Sequence, residues 1–438
     1  MTGTSILDRG RRAGLRLLTR AGSLQVLQDD DVRARVGRVL RRTTAGGVRA
    51  QVAVGRRFAP RAGRGAPTRT TPRASAGMFD LTLTEDQAML RAAARELADA
   101  VIRPAGRQAD TDRGVPGPVE AAAREMALGL LGVPTALGGV AEEHPAVTTV
   151  LVLEELARGD MGIAVALMAT GSAATAVARH GTADQQATYL PHLTGADPAP
   201  AVIAVQEPHP LFDPRRPRTH AVRQGDTLVL TGVKALVPLA ASAELLVIGA
   251  VVDGSPRLVL VPASTPGVSV EDDPAMGLRA AATGRVVLTG ATVPAENLLG
   301  SAQDYLDVVR RSRLAWAACA VGTAQAALDQ LVPYVTTRHA FGEPIAHRQA
   351  VAFTVADIAI ELEALRLTVW KAAARLDSGR DAARTIAEAR ALTATHGSRI
   401  GSSAVQLLGG HGFVREWDNE RWYRDLRGAG LLEGALLV

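Results

Sequence analysis

Three textures succeed one another along this chain of 438 residues, and their order restricts the fold more than any single residue does. From Thr84 apolar residues recur at helical spacing, with loop breaks, to about Leu193. Thr84-Glu85-Asp86-Gln87 makes a capping box ahead of Met89, Leu90, Ala93, Ala94 and Leu97, two side chains each satisfying an amide that a helix start leaves bare. Between about Ala201 and Gly300 the texture changes to short β-branched runs separated by Gly, Pro and Asp. Leu228-Val-Leu, Leu245-Leu-Val-Ile, Arg257-Leu-Val-Leu-Val, Val268-Ser-Val and Arg285-Val-Val-Leu predict strands. From Tyr305 to about Asp425 long Ala/Leu helices return, broken at Gly342-Glu-Pro344 and Gly409-Gly410. Few folds set a β module between two helical ones. The expected class is α+β, mainly α: a helical domain over 78–198, a β domain over 199–300 and a C-terminal helical domain over 301–438.

Residues 1–77 stand apart. They hold seventeen arginines against Asp8, Asp29, Asp30 and Asp31, so +13 sits here and −8 is left for the rest of a chain whose total is +5. Asp29-Asp30-Asp31 caps a helical pattern with Val32, Val36, Val39 and Leu40 on one face and arginines on the others. Such a basic amphipathic helix suits peripheral contact with anionic lipid or an acidic partner; the plainer reading is a solvated helix packed on the body. Nucleic acid is not expected, because Phe58 is the only aromatic there and offers no stacking platform. Residues 59–77, rich in Pro, Gly, Arg and Thr, read as a linker.

A single cysteine, Cys319, excludes an intramolecular disulfide and a thiolate metal cluster, and fits a reducing compartment. It reads as helix packing, and no metal site is expected. The N-terminus lacks the apolar core of a secretory signal peptide, and no run of twenty apolar residues occurs; Gly162 to Ala178 comes nearest and reads as a buried helix. A cytoplasmic location is expected, with the basic extension as the candidate for membrane association.

The densest information lies at the carboxyl end: Gln406-Leu-Leu-Gly409-Gly410-His-Gly412, then Arg421-Trp-Tyr-Arg-Asp425, then Leu431-Leu432-Glu433-Gly434-Ala435-Leu436-Leu437. Three glycines in four residues let backbone approach a large ligand. Glu433 is a lone carboxylate in an apolar run, so it is either exposed on a fraying tail or kept in a dry site for a purpose.

This order of modules, with these motifs, resembles the acyl-CoA dehydrogenase family over roughly residues 80–438. Arg338-His-Ala-Phe341-Gly342-Glu-Pro344-Ile345 is similar to the family's R-x-x-F-G-x-P-I, and Arg421 to Asp425 followed by Glu433-Gly434 to its terminal R-x-x-R-D…E-G. Met276-Gly277-Leu-Arg279 and Val293 to Gly300 add weaker matches. The resemblance implies an N-terminal helical domain, a barrel-like β domain and a C-terminal helical bundle. It implies a FAD-dependent enzyme that takes a proton from the α carbon of an acyl-CoA thioester while a hydride leaves the β carbon for flavin N5. Glu433 corresponds to the base, with the leucines around it expected to form a dry, apolar frame. Arg313 matches a position contacting the CoA moiety. Arg338 and Phe341 match positions reaching the FAD of a neighbouring subunit, and Gln406 and Gly410 match positions beside its adenosine half. A homotetramer or homodimer, with an electron-transfer flavoprotein as acceptor, follows by the same resemblance.

The departures cluster where the flavin ring would lie. Gln206-Glu207-Pro208 stands where the family has T-E-P, and Leu236 and Pro238 replace a stacking Trp and a hydrogen-bonding Thr. Gln206 retains an amide suited to a flavin's pyrimidine edge. Ala435 replaces a customary Thr, and the sequence stops at Val438, before the family's usual last helix. The alternatives these changes raise are a flavin oxidase on the same scaffold, or a non-catalytic scaffold subunit paired with an active homologue.

Overall fold

The computed structural model describes residues 81–141 and 145–438. The expectations for residues 1–77 lie outside the described residues.

Helix α1 (Glu85–Leu97) opens on the expected box: Gln87 N donates to Thr84 Oγ1 and Thr84 N to Gln87 Oε1, both at 3.1 Å. A π-helical turn, Ala98–Ile102, leads into α2 (Arg103–Asp112), which ends where Arg113 turns left-handed at φ 55°. α3 (Gly117–Glu125), α4 (Pro145–Gly159), α5 (Met161–His180) and α6 (Ala183–Thr194) complete the first helical set. Asp160 caps α5, its Oδ1 accepting from Ile163 N at 2.9 Å. α5 is the apolar run expected to be a buried helix. Among the described residues it alone is long and apolar enough to cross a membrane, yet its side chains are packed inside the fold.

Eight strands follow: β1 (Ala201–Ala204), β2 (His220–Gln224), β3 (Thr227–Val237), β4 (Leu245–Val252), β5 (Ser255–Pro262), β6 (Val268–Asp272), β7 (Gly284–Pro294) and β8 (Leu298–Leu299). They form one mixed sheet in the order β6-β7-β3-β2-β4-β5-β8, with β1 parallel to β4. Side chains alternate across a strand, so β4 sends Leu245 and Val247 to one core and Leu246 and Ile248 to another. The first of these cores also holds Ala173 and Val177 of α5 and fastens the sheet to the helices. The β3–β7 ladder breaks its register between Lys234 and Val237, and in that bulge Leu236 takes φ 52°. Bulges commonly re-aim side chains beside functional sites.

The long helix α7 (Ala302–Thr337) begins with a second capping box, Ser301 with Asp304. It runs through the main core, where Leu314, Trp316 and Ala318 pack with Val150 and Leu153 of α4. Gly322 permits that approach, since a Cβ there would stand 1.9 Å from the Glu154 carbonyl oxygen. Cys319 is fully buried in the same helix and burial pushes its thiol up to about 12, as a packing residue requires. After a small hairpin, β9 (His339–Ala340) and β10 (Glu343–Pro344), come α8 (Gln349–Asp377), α9 (Ala383–Leu392), α10 (Ser398–Leu407) and α11 (Asn419–Ala429). The helical, β, helical order is therefore the architecture observed.

Candidate active site

Beyond α11 the chain turns at Gly430, exposes Leu431, and then runs buried from Leu432 to Val438, turning again where Gly434 and Ala435 both take positive φ. Gly434 is the point of attachment. It bridges Ala204 of β1 in antiparallel sense, and its carbonyl accepts from Ser312 Oγ at 2.6 Å and Trp316 Nε1 at 2.9 Å. The glycine sits at φ 78°, where a Cβ would press within 2.9 Å of Val205 Cβ. Ala435 N then donates to Ile203 O at 3.1 Å, and Leu437 N to Ser172 Oγ at 2.9 Å. β1, α5 and α7 thus fix the backbone on the C-terminal side of Glu433.

The Glu433 carboxylate is 6% exposed, so the fraying-tail reading fails. Its surroundings differ from the apolar frame that the flanking leucines suggested. The left-handed turn at Gly434 and Ala435 redirects the chain, and these leucines go elsewhere: Leu432 and Leu436 into the main helical core, Leu437 into the sheet–helix core, Leu431 to solvent. Two guanidiniums meet the carboxylate instead. Arg313 of α7 places Nε at 3.0 Å from both oxygens and Nη2 at 2.7 Å from Oε1. Arg390 of α9 places Nη2 at 3.2 Å from the same Oε1. Oε1 therefore accepts from three N–H groups, whereas Oε2 shares one. Burial pulls the Arg390 pKa down while the Glu433 charge pulls it up, with the first effect larger. Nothing in the local sequence marked Arg390; it is brought in by the packing of α9 on α7 and α8, from which its Nη1 reaches the Ala429 carbonyl at the end of α11.

Ser312, adjacent to Arg313, holds the carbonyl of Gly434, the residue that follows Glu433. An apolar void of about 20 Å³ lies close by, lined by Leu236, Pro238, Leu278, Thr283, Trp316 and Leu432 among others. Leu236 and Pro238, the departures noted in the sequence, thus face the segment that carries Glu433.

Gln206 follows β1. Its main-chain oxygen accepts from Ala235 N at 3.0 Å, while its side-chain Oε1 is buried without a hydrogen-bond partner. Leu236 N donates to Asp273 Oδ2 at 2.9 Å and holds the bulge open. The next residue, Glu207, is anchored below the loop. Burial alone would raise its pKa, but Lys234 at 2.8 Å and the amides of Arg218 and Thr219 take it down to about 2. Lys234 is completely buried, and burial lowers its ammonium to about 8 against the attraction of Glu207.

Arg338, Phe341, Gln406 and Gly410 gather elsewhere. All four are exposed, Phe341 at 95% in the β9–β10 turn. Tyr334, one turn before Arg338, joins the two pairs, because its hydroxyl donates to Leu408 O at 3.1 Å and lies 3.0 Å from His411 Nδ1. Arg313 and Arg338 share one helix, and their separation in sequence corresponds to roughly 37 Å of rise. The structure accordingly brings Gln206, Arg313 and Glu433 to one end of α7, and Arg338, Phe341, Gln406 and Gly410 to the other.

Two further motifs prove to be structural. Asp425 Oδ1 accepts from Leu278 N at 2.6 Å, and Arg424 donates to Met276 O at 3.0 Å and to both oxygens of Asp110 at 2.8 and 3.0 Å. The Arg421–Asp425 run and the Met276–Arg279 run are one joint between α11, α2 and the loop before β7.

Known proteins share this arrangement. Residues 84–197, 202–291 and 304–436 match the family models for the acyl-CoA dehydrogenase N-terminal, middle and C-terminal domains. The mitochondrial short-chain specific acyl-CoA dehydrogenase of Rattus norvegicus is 31% identical over 366 residues, 80% of this chain and 87% of that one. The structure of butyryl-CoA dehydrogenase from Megasphaera elsdenii superposes with a TM-score of 0.73 at 26% identity, covering 80% of this chain and 95% of that one. A chain solved in work on the electron transferring flavoprotein of Acidaminococcus fermentans also gives 0.73, at 27% identity, covering 81% and 95%. The chain belongs to the acyl-CoA dehydrogenase family, whose members are oxidoreductases acting on acyl-CoA.

Proposed function

We propose that this chain dehydrogenates an acyl-CoA thioester between its α and β carbons, with Glu433 as the group that receives the α proton. The observation that carries this reading is a buried carboxylate with one oxygen left nearly free. Oε2 of Glu433 has unused acceptor capacity, while Oε1 is fixed by two arginines. An α C–H is a poor acid, so its base must be held within bonding reach; the pinned Gly434 and the Arg313 fork supply that positioning. Arg313, with its side chain 26% exposed, lies at the open edge of the site and suits the CoA portion of a substrate.

FAD is the cofactor this reading requires, and its donor chemistry fits on one specific point. The orphaned, buried Oε1 of Gln206 is an acceptor in need of an N–H, which the pyrimidine edge of a flavin carries. Bound there, the flavin supplies a hydride acceptor. Gln206 would hold its edge, with the Leu236 bulge shaping the adjoining wall.

Arg338, Phe341, Gln406 and Gly410 are too far along α7 to serve the same cofactor molecule from within one chain. They suit the cofactor of a second copy, Arg338 offering a fork for pyrophosphate oxygens. Exposed Phe353, Ile360 and Leu367 form a stripe at sevenfold spacing on α8, with Phe341 and Phe413 also bare. A face of this kind is what pairing with a second copy would cover. A homodimer or homotetramer follows, passing electrons to an electron-transfer flavoprotein.

The Leu236 and Pro238 replacements favour one second reading, a non-catalytic scaffold subunit. An absorbance spectrum of the purified protein separates the two. Flavin bands that bleach anaerobically with an acyl-CoA support the dehydrogenase, whereas a colourless protein that FAD cannot reconstitute supports the scaffold.

A further inference from the structure

Arg390 has no counterpart among the motifs that identify the family, yet it touches the proposed base directly. Its two terminal nitrogens do different things. Nη2 donates to Glu433 Oε1 at 3.2 Å, and Nη1 donates to the carbonyl of Ala429, the last residue of α11, at 3.2 Å. One rigid fork thus ties the side chain of Glu433 to the helix end that precedes its segment. Gly434 fixes the backbone on the other side. Arg390 is the more secluded of the two arginines, its side chain 15% exposed against 26% for Arg313.

We propose that Arg390 is a positioning residue that pins Oε1 of Glu433, so that Oε2 is the atom receiving the α proton. The inference rests on the reading of Glu433 as the base. Arg313, at the open edge, is the partner that substrate can draw away; Arg390 then remains to keep the carboxylate aimed. The step balances within the site: the α C–H bond breaks, its electron pair passes into the thioester enolate, and an O–H bond forms at Oε2. Loss of Arg390 leaves the carboxylate with no fixed partner once Arg313 has turned to CoA, which lowers the rate of proton removal without weakening the hold on CoA.

Acetyl-CoA isolates this step, because it has α hydrogens and no β carbon from which hydride could leave. In D2O, exchange of its methyl hydrogens is followed by mass spectrometry with the protein as purified, for the wild-type chain and for Glu433→Gln, Arg390→Gln and Arg390→Lys. The wild-type chain exchanges and Glu433→Gln does not. Arg390→Gln exchanges roughly ten- to a hundredfold more slowly at unchanged half-saturation for acetyl-CoA. Arg390→Lys, which can make one bond but not both, lies between, and it carries the test if the glutamine variant fails to fold. An exchange rate equal to wild type in a folded Arg390 variant, with Glu433→Gln inactive, overturns the positioning role alone. Exchange that survives Glu433→Gln, or is absent from the wild-type chain, overturns the reading of the base beneath it.

Discussion

Two glutamates in this fold are buried to nearly the same degree, Glu207 at 3% exposure and Glu433 at 6%, and they are held in opposite ways. Glu207 is saturated. Oε1 takes Thr219 N at 2.9 Å and Lys234 Nζ at 2.8 Å, and Oε2 takes Arg218 N at 2.8 Å, with a ring nitrogen of His209 at 3.3 Å. Apart from His209, whose side chain is 17% exposed, its partners are backbone amides and a lysine with no solvent access, which stay in place. Glu433 has its bonds crowded on one oxygen, and both partners are arginines that reach solvent. Burial alone therefore does not distinguish a structural charge from a working one. The distribution of bonds over the two oxygens does, together with whether the partners can be displaced.

Exchanging each carboxylate for its amide tests that distinction, and the largest effect is expected at the base. Glu433→Gln should reduce acyl-CoA turnover by about 10³–10⁴-fold, measured as anaerobic flavin bleaching, while the melting temperature moves little. Glu207→Gln should do the reverse. It strands the Lys234 ammonium in the interior, which costs about 3–5 kcal/mol of stability by urea denaturation. Adding Lys234→Met to it should restore part of that loss, because the uncompensated charge is then gone. If Glu433→Gln destabilises the chain as much as Glu207→Gln does, Glu433 is an anchor and the contrast disappears.

A third buried carboxylate sharpens the comparison through pH. Burial and the nearby Asp160 charge push Asp425 up to about 7, against the pull of the Leu278 amide, Arg421 and Arg424. Its folded pKa thus lies above its unfolded one. The stability it contributes is complete below about pH 4 and is lost as pH rises toward 7. Asp425→Asn keeps an acceptor for Leu278 N but cannot ionise. Its melting temperature should therefore gain on the wild type as pH increases across that window, by an amount corresponding to about 1–3 kcal/mol. A constant difference between the two proteins from pH 4 to 8 would show that Asp425 is no more strained by ionisation in the fold than outside it.

How much of this was legible in the sequence depends on the range of the interaction. The module order, the Thr84 box, the strands near Leu228, Leu245 and Arg257, and the buried helix at Gly162 were all legible, because each is set by neighbours within a few residues. Arg313 and Glu433 were each marked by family resemblance, but their ion pair was not. Arg390 and Lys234 were not marked as partners at all. Both pairs join residues more than twenty-five positions apart, Arg390 with Glu433 across a turn of helices and Lys234 with Glu207 across a bulged strand. The apolar frame expected around Glu433 failed for a related reason. A run of leucines read as a string cannot show that a segment turning at Gly434 and Ala435 would send them into two different cores and the solvent. The Arg421–Asp425 run, read only as a family mark, left open what it does, and in the fold Arg424 and Asp425 hold the Met276–Arg279 loop.

The smallest effect belongs to a carboxylate with no burial to amplify it. Arg384 and Glu388 pair on the outside of α9, Nε to Oε1 at 2.9 Å, with side chains 91% and 47% exposed. The distance matches the 2.8 Å of the Lys234–Glu207 bond, so a count of ion pairs would rank the two alike. Water and salt screen the surface pair, and ordering two long side chains offsets most of its attraction. A double-mutant cycle of Arg384→Ala and Glu388→Ala should return a coupling of about 0.5 kcal/mol or less, which falls further in 1 M salt. The same cycle on Lys234 and Glu207 should return several times that value and respond little to salt. Equal couplings at the two sites would mean that bond length governs these contacts and burial does not.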